Sequence, residues 1–151
     1  MLTPNILKSI DDSVLCWLAT TNVHGQPNVS PKEIFVACEQ YILIANIASP
    51  NSMRNIRQNN RVCVSFINIF TQKGYKIFGT ADEIQPSNPS FEALVQPLEA
   101  LTQGLFPIQS IFRIEVHQTF PIIAPSYYLI EGATEQSQIE SAMRTYGVQP
   151  K

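Results

Sequence analysis

LIANIASPNSMRNIRQNNRVCVSF, residues 43–66, decides how the chain is read. Leu43 to Ile47, apolar except for Asn46, reads as the end of a strand. Ser49 stands where an N-cap belongs and Pro50 suits the first helical position, where a missing amide hydrogen costs nothing. Residues 50–60 then predict a helix of about three turns, with Met53, Ile56 and the stem of Arg57 on one side. RVCVSFINIF (61–70) is apolar at nearly every position and predicts a strand covered on both faces. The helix start also raises a chemical question. The amides of Asn51 and Ser52 point out of it at the positive end of the helix dipole, Ser49 and Ser52 add hydroxyls, and Arg54 and Arg57 follow within two turns. That is a natural seat for a phosphate or carboxylate. The same residues also make an ordinary capped helix, and most of those bind nothing.

Outward from this stretch, the rest of the chain reads mainly as strands. PNILKSIDD (4–12) predicts a short helix with Thr3 as N-cap and Pro4 at its start. VLCWLATT (14–21) predicts a strand ending at the Gly25–Pro27 turn, and NVSPKEIFVAC (28–38) and YILIANI (41–47) predict the next two strands, joined tightly at Glu39-Gln40. YKIFGTADEIQ (75–85) is a further strand in which Gly79 marks a bulge or a close backbone approach. A helical insertion is expected at 88–104, kinked or divided at Pro97. In SIFRIEVHQTF (110–120), Phe112, Ile114 and Val116 alternate with Arg113, Glu115 and His117, so the first set faces inward. A C-terminal helix at 135–146 stops at Gly147. About six strands at hairpin spacing, with short helices between, predict a single antiparallel barrel domain over residues 1–151, mainly β with peripheral helices.

The totals narrow the function. The chain has 151 residues, a net charge of −2 and a sequence pI near 5.6. A protein held to nucleic acid by phosphate contacts needs a basic excess, and none is present. Apolar residues make up 44% and charged residues only 15%, so part of the surface is expected to be covered by a partner. Cys16, Cys38 and Cys63 are odd in number, lack C-x-x-C spacing and sit among apolar neighbours, as reduced thiols do. The first residues show no signal-peptide pattern and no apolar run is long enough to span a bilayer, so a cytoplasmic location without membrane contact is expected.

Two further pieces bear on the anion question. In NVSPKE, Asn28, Ser30 and Lys32 fall on one face of a strand by period two, while Pro31 marks an edge or a bulge. TQKGYK (71–76) reads as a turn with Lys73 and Lys76 around Gly74; it is a solvated hairpin end or a source of cation for an anionic ligand. His24 and His117 read as surface residues with no metal-ligand neighbours, and Trp17 as core. No phosphate-binding loop, dinucleotide fingerprint or nucleophile elbow is present, and no residue is marked as a general acid or base.

LATTNVHGQPNVSPKEIF, LIANIASPNSMRNIRQNNRVCVSF and KGYKIFGTADEI, in that order, resemble the pyridoxamine 5′-phosphate oxidase-like family of FMN-binding split barrels, from about Val14 to Ile84. The resemblance implies a six-stranded Greek-key split barrel and an obligate homodimer with two FMN sites at the subunit interface. Carried over position by position, it implies cofactor contacts at Asn28, Ser30 and Lys32, at Asn46 and Ile47, at Ser49, Pro50, Asn51 and Ser52, and near the phosphate at Lys73. The chain departs from true vitamin B6 oxidases. Residues 61–70 offer only Arg61, and the tail after residue 120 holds no arginine before Arg144. The expected function is therefore an FMN-dependent oxidoreductase acting on an unspecified small molecule. An FMN carrier or sensor, or a cofactor-free interaction dimer, is the alternative. A larger deazaflavin shares the phosphate and the tricyclic ring.

Overall fold

The computed structural model describes residues 1–38 and 40–150. In chain order the elements are α1 (Pro4–Asp11), β1 (Cys16–Thr21), β2 (Pro27–Lys32), β3 (Phe35–Ala37), β4 (Tyr41–Asn46), α2 (Pro50–Gln58), β5 (Arg61–Asn68), β6 (Lys73–Ile84), α3 (Phe91–Thr102), β7 (Ser110–Ile123), α4 (Ser126–Leu129) and α5 (Glu135–Tyr146). The seven strands form one sheet in the order β2-β1-β5-β6-β7-β4-β3, and every neighbouring pair is antiparallel.

The strand count differs from the expected six because residues 28–38 are two strands, β2 and β3, that lie on opposite edges of the sheet. Laid flat, the two edge strands, six strand spacings apart, would stand roughly 29 Å from each other. The chain from Lys32 to Phe35 reaches at most about 10 Å. The sheet must therefore curl until its edges meet, and this is the split barrel. Residues 33–34 make the crossing, where Ala45 N–H of β4 donates to the Ile34 carbonyl at 3.0 Å. Pro31 falls on an edge strand, as its missing amide hydrogen requires. The expected Glu39-Gln40 connection falls on residue 39 and lies outside the described residues.

Two apolar cores result. The barrel interior is filled by Leu18, Phe35, Ile42, Ile44, Val62, Val64, Phe66, Ile77, Phe112 and Ile114, and Ile6 and Ile10 of α1 plug one end. On the outside, α3 lays Val95 and Leu98 over Leu43, Ala45, Ile84 and Ile111. The strand covered on both faces is thus β4, not β5. The inner face of β5 is buried, but its outer face carries half-buried Cys63 and Ser65 and exposed Ile67. Trp17, expected in the core, points outward and is 45% exposed, because Cys16, Leu18 and Thr20 take the inward positions of β1.

Local sequence explains most boundaries. Thr3 accepts from Ile6 N–H and caps α1, and α5 starts in a capping box between Thr134 and Ser137 and ends at Gly147 with φ 65°. Pro97 does not divide α3. Ala93, whose carbonyl loses its helical partner to the proline, lies with Pro97 on the exposed side, where water can satisfy it. The β5–β6 turn is residues 69–72, so Lys73 and Gly74 belong to β6. The bulge expected near Gly79 is present between Phe78 and Gly79. Gly74 and Gly79 are both required by close backbone approach. A Cβ would lie 2.0 Å from the Phe66 carbonyl oxygen at Gly74 and 2.0 Å from the Glu115 oxygen at Gly79. Replacing Gly74 by alanine forces the β5–β6 pair apart and is expected to cost about 3 kcal/mol in urea unfolding; an unchanged midpoint would show that the ladder tolerates the shift.

Candidate functional site

Barrel closure brings the inner side of β2 against the start of α2. Asn28, Ser30 and Lys32 all point that way, as period two requires. Asn28 Nδ2 donates to Ser30 Oγ at 3.4 Å and to Ser52 Oγ at 3.5 Å, and the two serine hydroxyls are 3.4 Å apart. Lys32 donates its ammonium to Ser49 Oγ. Ser49 occupies the N-cap position of α2 but makes no side-chain capping bond. Its hydroxyl is committed to Lys32, so the first-turn amides of α2 have no side-chain acceptor from their own cap.

A second polar chain fixes this arrangement from behind. Ser49 N–H donates to Asn46 Oδ1 at 3.2 Å, Asn46 Nδ2 donates to Ser110 Oγ at 2.8 Å, and Ser110 Oγ donates to Glu83 Oε1 at 2.8 Å. Glu83 Oε2 takes Arg57 Nε, in the last turn of α2, at 2.6 Å. Both ends of α2 are thereby tied to the same relay, which is buried at Asn46 and Ser110 and reaches solvent at Arg57. Asn55 to Thr20 and Asn59 to Thr21, at 3.0 and 2.8 Å, pin the helix to β1.

Lys32 is the electrostatic centre of the site. It is 8% exposed, and among the described residues no carboxylate lies within ion-pair distance of it. Burial lowers its pKa from the ordinary lysine value, and the Cys16 thiol beneath it opposes that effect. Burial in turn pushes Cys16 up to about 12, so that thiol is no nucleophile at neutral pH. A buried cation without a countercharge is costly, and an anionic ligand relieves that cost. Beside it lies a hollow of about 260 Å³, whose wall includes Lys32, Ile34, Ile47, Ser49 and Phe106. A second hollow, of about 330 Å³, is polar and takes in Asn28, Asn51, Arg54 and Asn55. An uncapped helix start, hydroxyls, an unpaired ammonium and an apolar slot match the chemistry of a phosphate joined to a flat ring.

Of the residues expected at the site, Asn28, Ser30, Lys32, Asn46, Ile47, Ser49, Pro50, Asn51 and Ser52 are brought together; Pro50 and Asn51 are exposed, whereas Asn46 and Ser52 are buried. Lys73 is not among them. It pairs with Ile123 at the far end of β7 from Ser110, donates to Glu135 at 2.8 Å and lies over the Tyr127 ring. Sequence reasoning missed Glu83, Ser110 and Phe106. Neither histidine lines the two hollows, and His117 Nε2 lies 3.3 Å from Thr80 Oγ1.

Comparison with known proteins agrees with the fold. A family model described as "Pyridoxamine 5'-phosphate oxidase" matches residues 2–122. Among solved structures, the HupZ protein of Group A Streptococcus is 24% identical, with 80% of this chain and 94% of that one covered and a TM-score of 0.69. An FMN-binding protein from Syntrophomonas wolfei is 11% identical, with 80% and 88% covered and a TM-score of 0.66. HutZ, the heme storage protein of Vibrio cholerae, is 23% identical, with 79% and 93% covered and a TM-score of 0.62. At these identities the likeness is one of fold. No curated protein matches the chain.

The relay behind the site makes stability depend on pH. Burial works against the Glu83 charge, but the hydrogen bonds from Arg57 and Ser110 and the Arg57 charge outweigh it, so its carboxyl is held below the ordinary 4.5. A depressed carboxylate contributes stability that is fully present above its unfolded value and lost as pH falls through the folded one. Glu83→Gln is therefore expected to be less stable than the parent near neutrality, with the gap closing between about pH 5 and pH 3. Thermal unfolding across that range checks this; a gap that stays constant would show that the charge is not what holds the relay.

Proposed function

The chain belongs to the pyridoxamine 5′-phosphate oxidase family, and on that premise we propose that it is a homodimeric FMN-binding flavoprotein that passes electrons or hydride between a small-molecule donor and an acceptor. The observation that carries this reading is Lys32, a buried ammonium with no carboxylate within ion-pair distance among the described residues, between an uncapped helix start and an apolar hollow. The amides of Asn51 and Ser52 and the hydroxyls of Ser30 and Ser52 are the phosphate donors. Lys32 holds positive charge where a ring edge gains electron density on reduction. When bound, FMN supplies redox chemistry at N5; the protein supplies position and electrostatics. Because no histidine lines the hollows, the donor set favours a phosphorylated ring over a haem iron.

Ser52 is fully buried, so the cleaner probe of the phosphate seat is exposed Asn51. Asn51→Asp adds a negative charge to the first turn of α2, which is expected to stabilise the free protein by about 0.5 kcal/mol. The same charge opposes a phosphate and is expected to weaken FMN binding about tenfold or more. Opposite signs in thermal unfolding and FMN titration support the seat; FMN affinity that holds or rises would place the phosphate elsewhere. Reduction of the loaded protein by NADH or NADPH supports the oxidoreductase reading, and a loaded protein that no pyridine nucleotide reduces favours a carrier or sensor.

The outer sheet face supports the homodimer. Register places Trp17, Ser65, Lys76 and Phe120 in one row, with Cys63 and Phe78 in the next. The Phe78 and Phe120 rings stand edge to face at 5.8 Å, and Trp17, Val29, Ile67, Phe78 and Phe120 are all exposed. So large an apolar face on one chain is expected to be covered by a second copy. Sedimentation at micromolar concentration is expected to show a dimer, and Trp17→Arg to shift it toward monomer; a monomeric parent contradicts the assembly.

A further inference from the structure

The segment between α3 and β7, residues 103–109, has no part in either core at its tip, yet it is not a loose loop. Gln103 and Gly104 take consecutive left-handed conformations, with φ 51° and 72°, which turns the chain sharply at the helix end. Gly104 N–H donates to Thr102 Oγ1 at 3.2 Å and Leu105 N–H to the Thr102 carbonyl at 3.0 Å. At its other end, Ile108 packs into the core under α3, and Gln109 N–H donates to the Asn46 carbonyl at 2.9 Å. Both ends are therefore anchored, the second directly on a residue of the candidate site. Between them Leu105 and Phe106 are held out, and Phe106 is 52% exposed. Its ring forms part of the wall of the same hollow as Lys32, Ile34 and Ile47.

Size and polarity divide the two hollows by role. The hollow beside Phe106, at about 260 Å³, is smaller than the roughly 300–1,000 Å³ that usually encloses a whole ligand. It suits a ring system rather than a nucleotide. The polar hollow near Asn28, Asn51 and Arg54 lies at the other end of β2, and the start of α2 stands between the two. Resting on the FMN reading above, we infer that the ring half of the cofactor occupies the Phe106 hollow, with Phe106 packed against the ring and Lys32 toward its electron-rich edge. The phosphate then points toward Asn28, Asn51 and Arg54. Residues 103–109 are the wall that determines which flat ring is accepted, a role that neither composition nor period assigns to them.

The test uses the full-length chain loaded with FMN and reads flavin emission rather than turnover. An indole in contact with the ring quenches flavin emission, so Phe106→Trp is expected to keep FMN and lose most of the bound-state emission seen in the parent. Phe106→Ala is expected to retain parent-like emission and bind roughly three- to tenfold more weakly. A half-exposed position tolerates both changes. If the tryptophan variant holds FMN with parent emission, the ring is not at Phe106 and the inference fails while the FMN reading stands. If Phe106→Ala instead dissociates the dimer and leaves FMN affinity unchanged, Phe106 is a subunit contact and the inference is overturned. If the parent retains no FMN, the reading beneath it fails and this one fails with it.

Discussion

Residues 33–34 impose the constraint on which the architecture depends. They join strands on opposite edges of a seven-stranded sheet, a link too short for any flat arrangement. The curl it demands makes a barrel interior for Leu18, Ile44, Phe66 and Phe112. The same closure carries Lys32, the last residue of β2, to the end of β4 and the start of α2. Fold and site are thus one consequence: the residue that precedes the crossing is the cation that the site is built around.

The cost of that placement is visible in the electrostatics. Lys32 is buried and its charge is disfavoured by desolvation, while Ser49 gives up its capping role to accept from it. Both are losses in the free protein that a ring edge gaining negative charge on reduction would offset if it lay beside Lys32. The relay Arg57–Glu83–Ser110–Asn46 holds the seat in place. Among the described residues no buried side-chain polar atom lacks a hydrogen-bond partner, Asn46 and Ser110 included, and this rigidifies the helix start. The outer sheet face, by contrast, leaves Trp17 and Phe120 without cover in the single chain.

Much of this was legible in the sequence where the signal is local. Period two placed Asn28, Ser30 and Lys32 on one face, Ser49-Pro50 marked the start of α2, and Gly79 marked the bulge. The division of residues 28–38 was not read, although a sign existed. Inward positions run 28, 30, 32 and then 35, and that change of parity is what a crossing produces. Trp17 was misplaced because β1 is apolar on both faces, so alternation could not choose between them. Glu83, Ser110 and Phe106 join the site from distant segments through pairings that no local pattern encodes. Lys73, which the sequence offers as a cation and the resemblance places near the phosphate, is ion-paired with Glu135 in the single chain.

The central claim is that the Lys32 seat holds a flavin. The most direct measurement is the visible spectrum and retained flavin of the purified chain after incubation with FMN and desalting. The account predicts oxidised-flavin bands and about one FMN per chain, as a single seat per protomer requires. A colourless protein that retains none would contradict it, and would return the start of α2 to an ordinary helix end packed against a buried lysine.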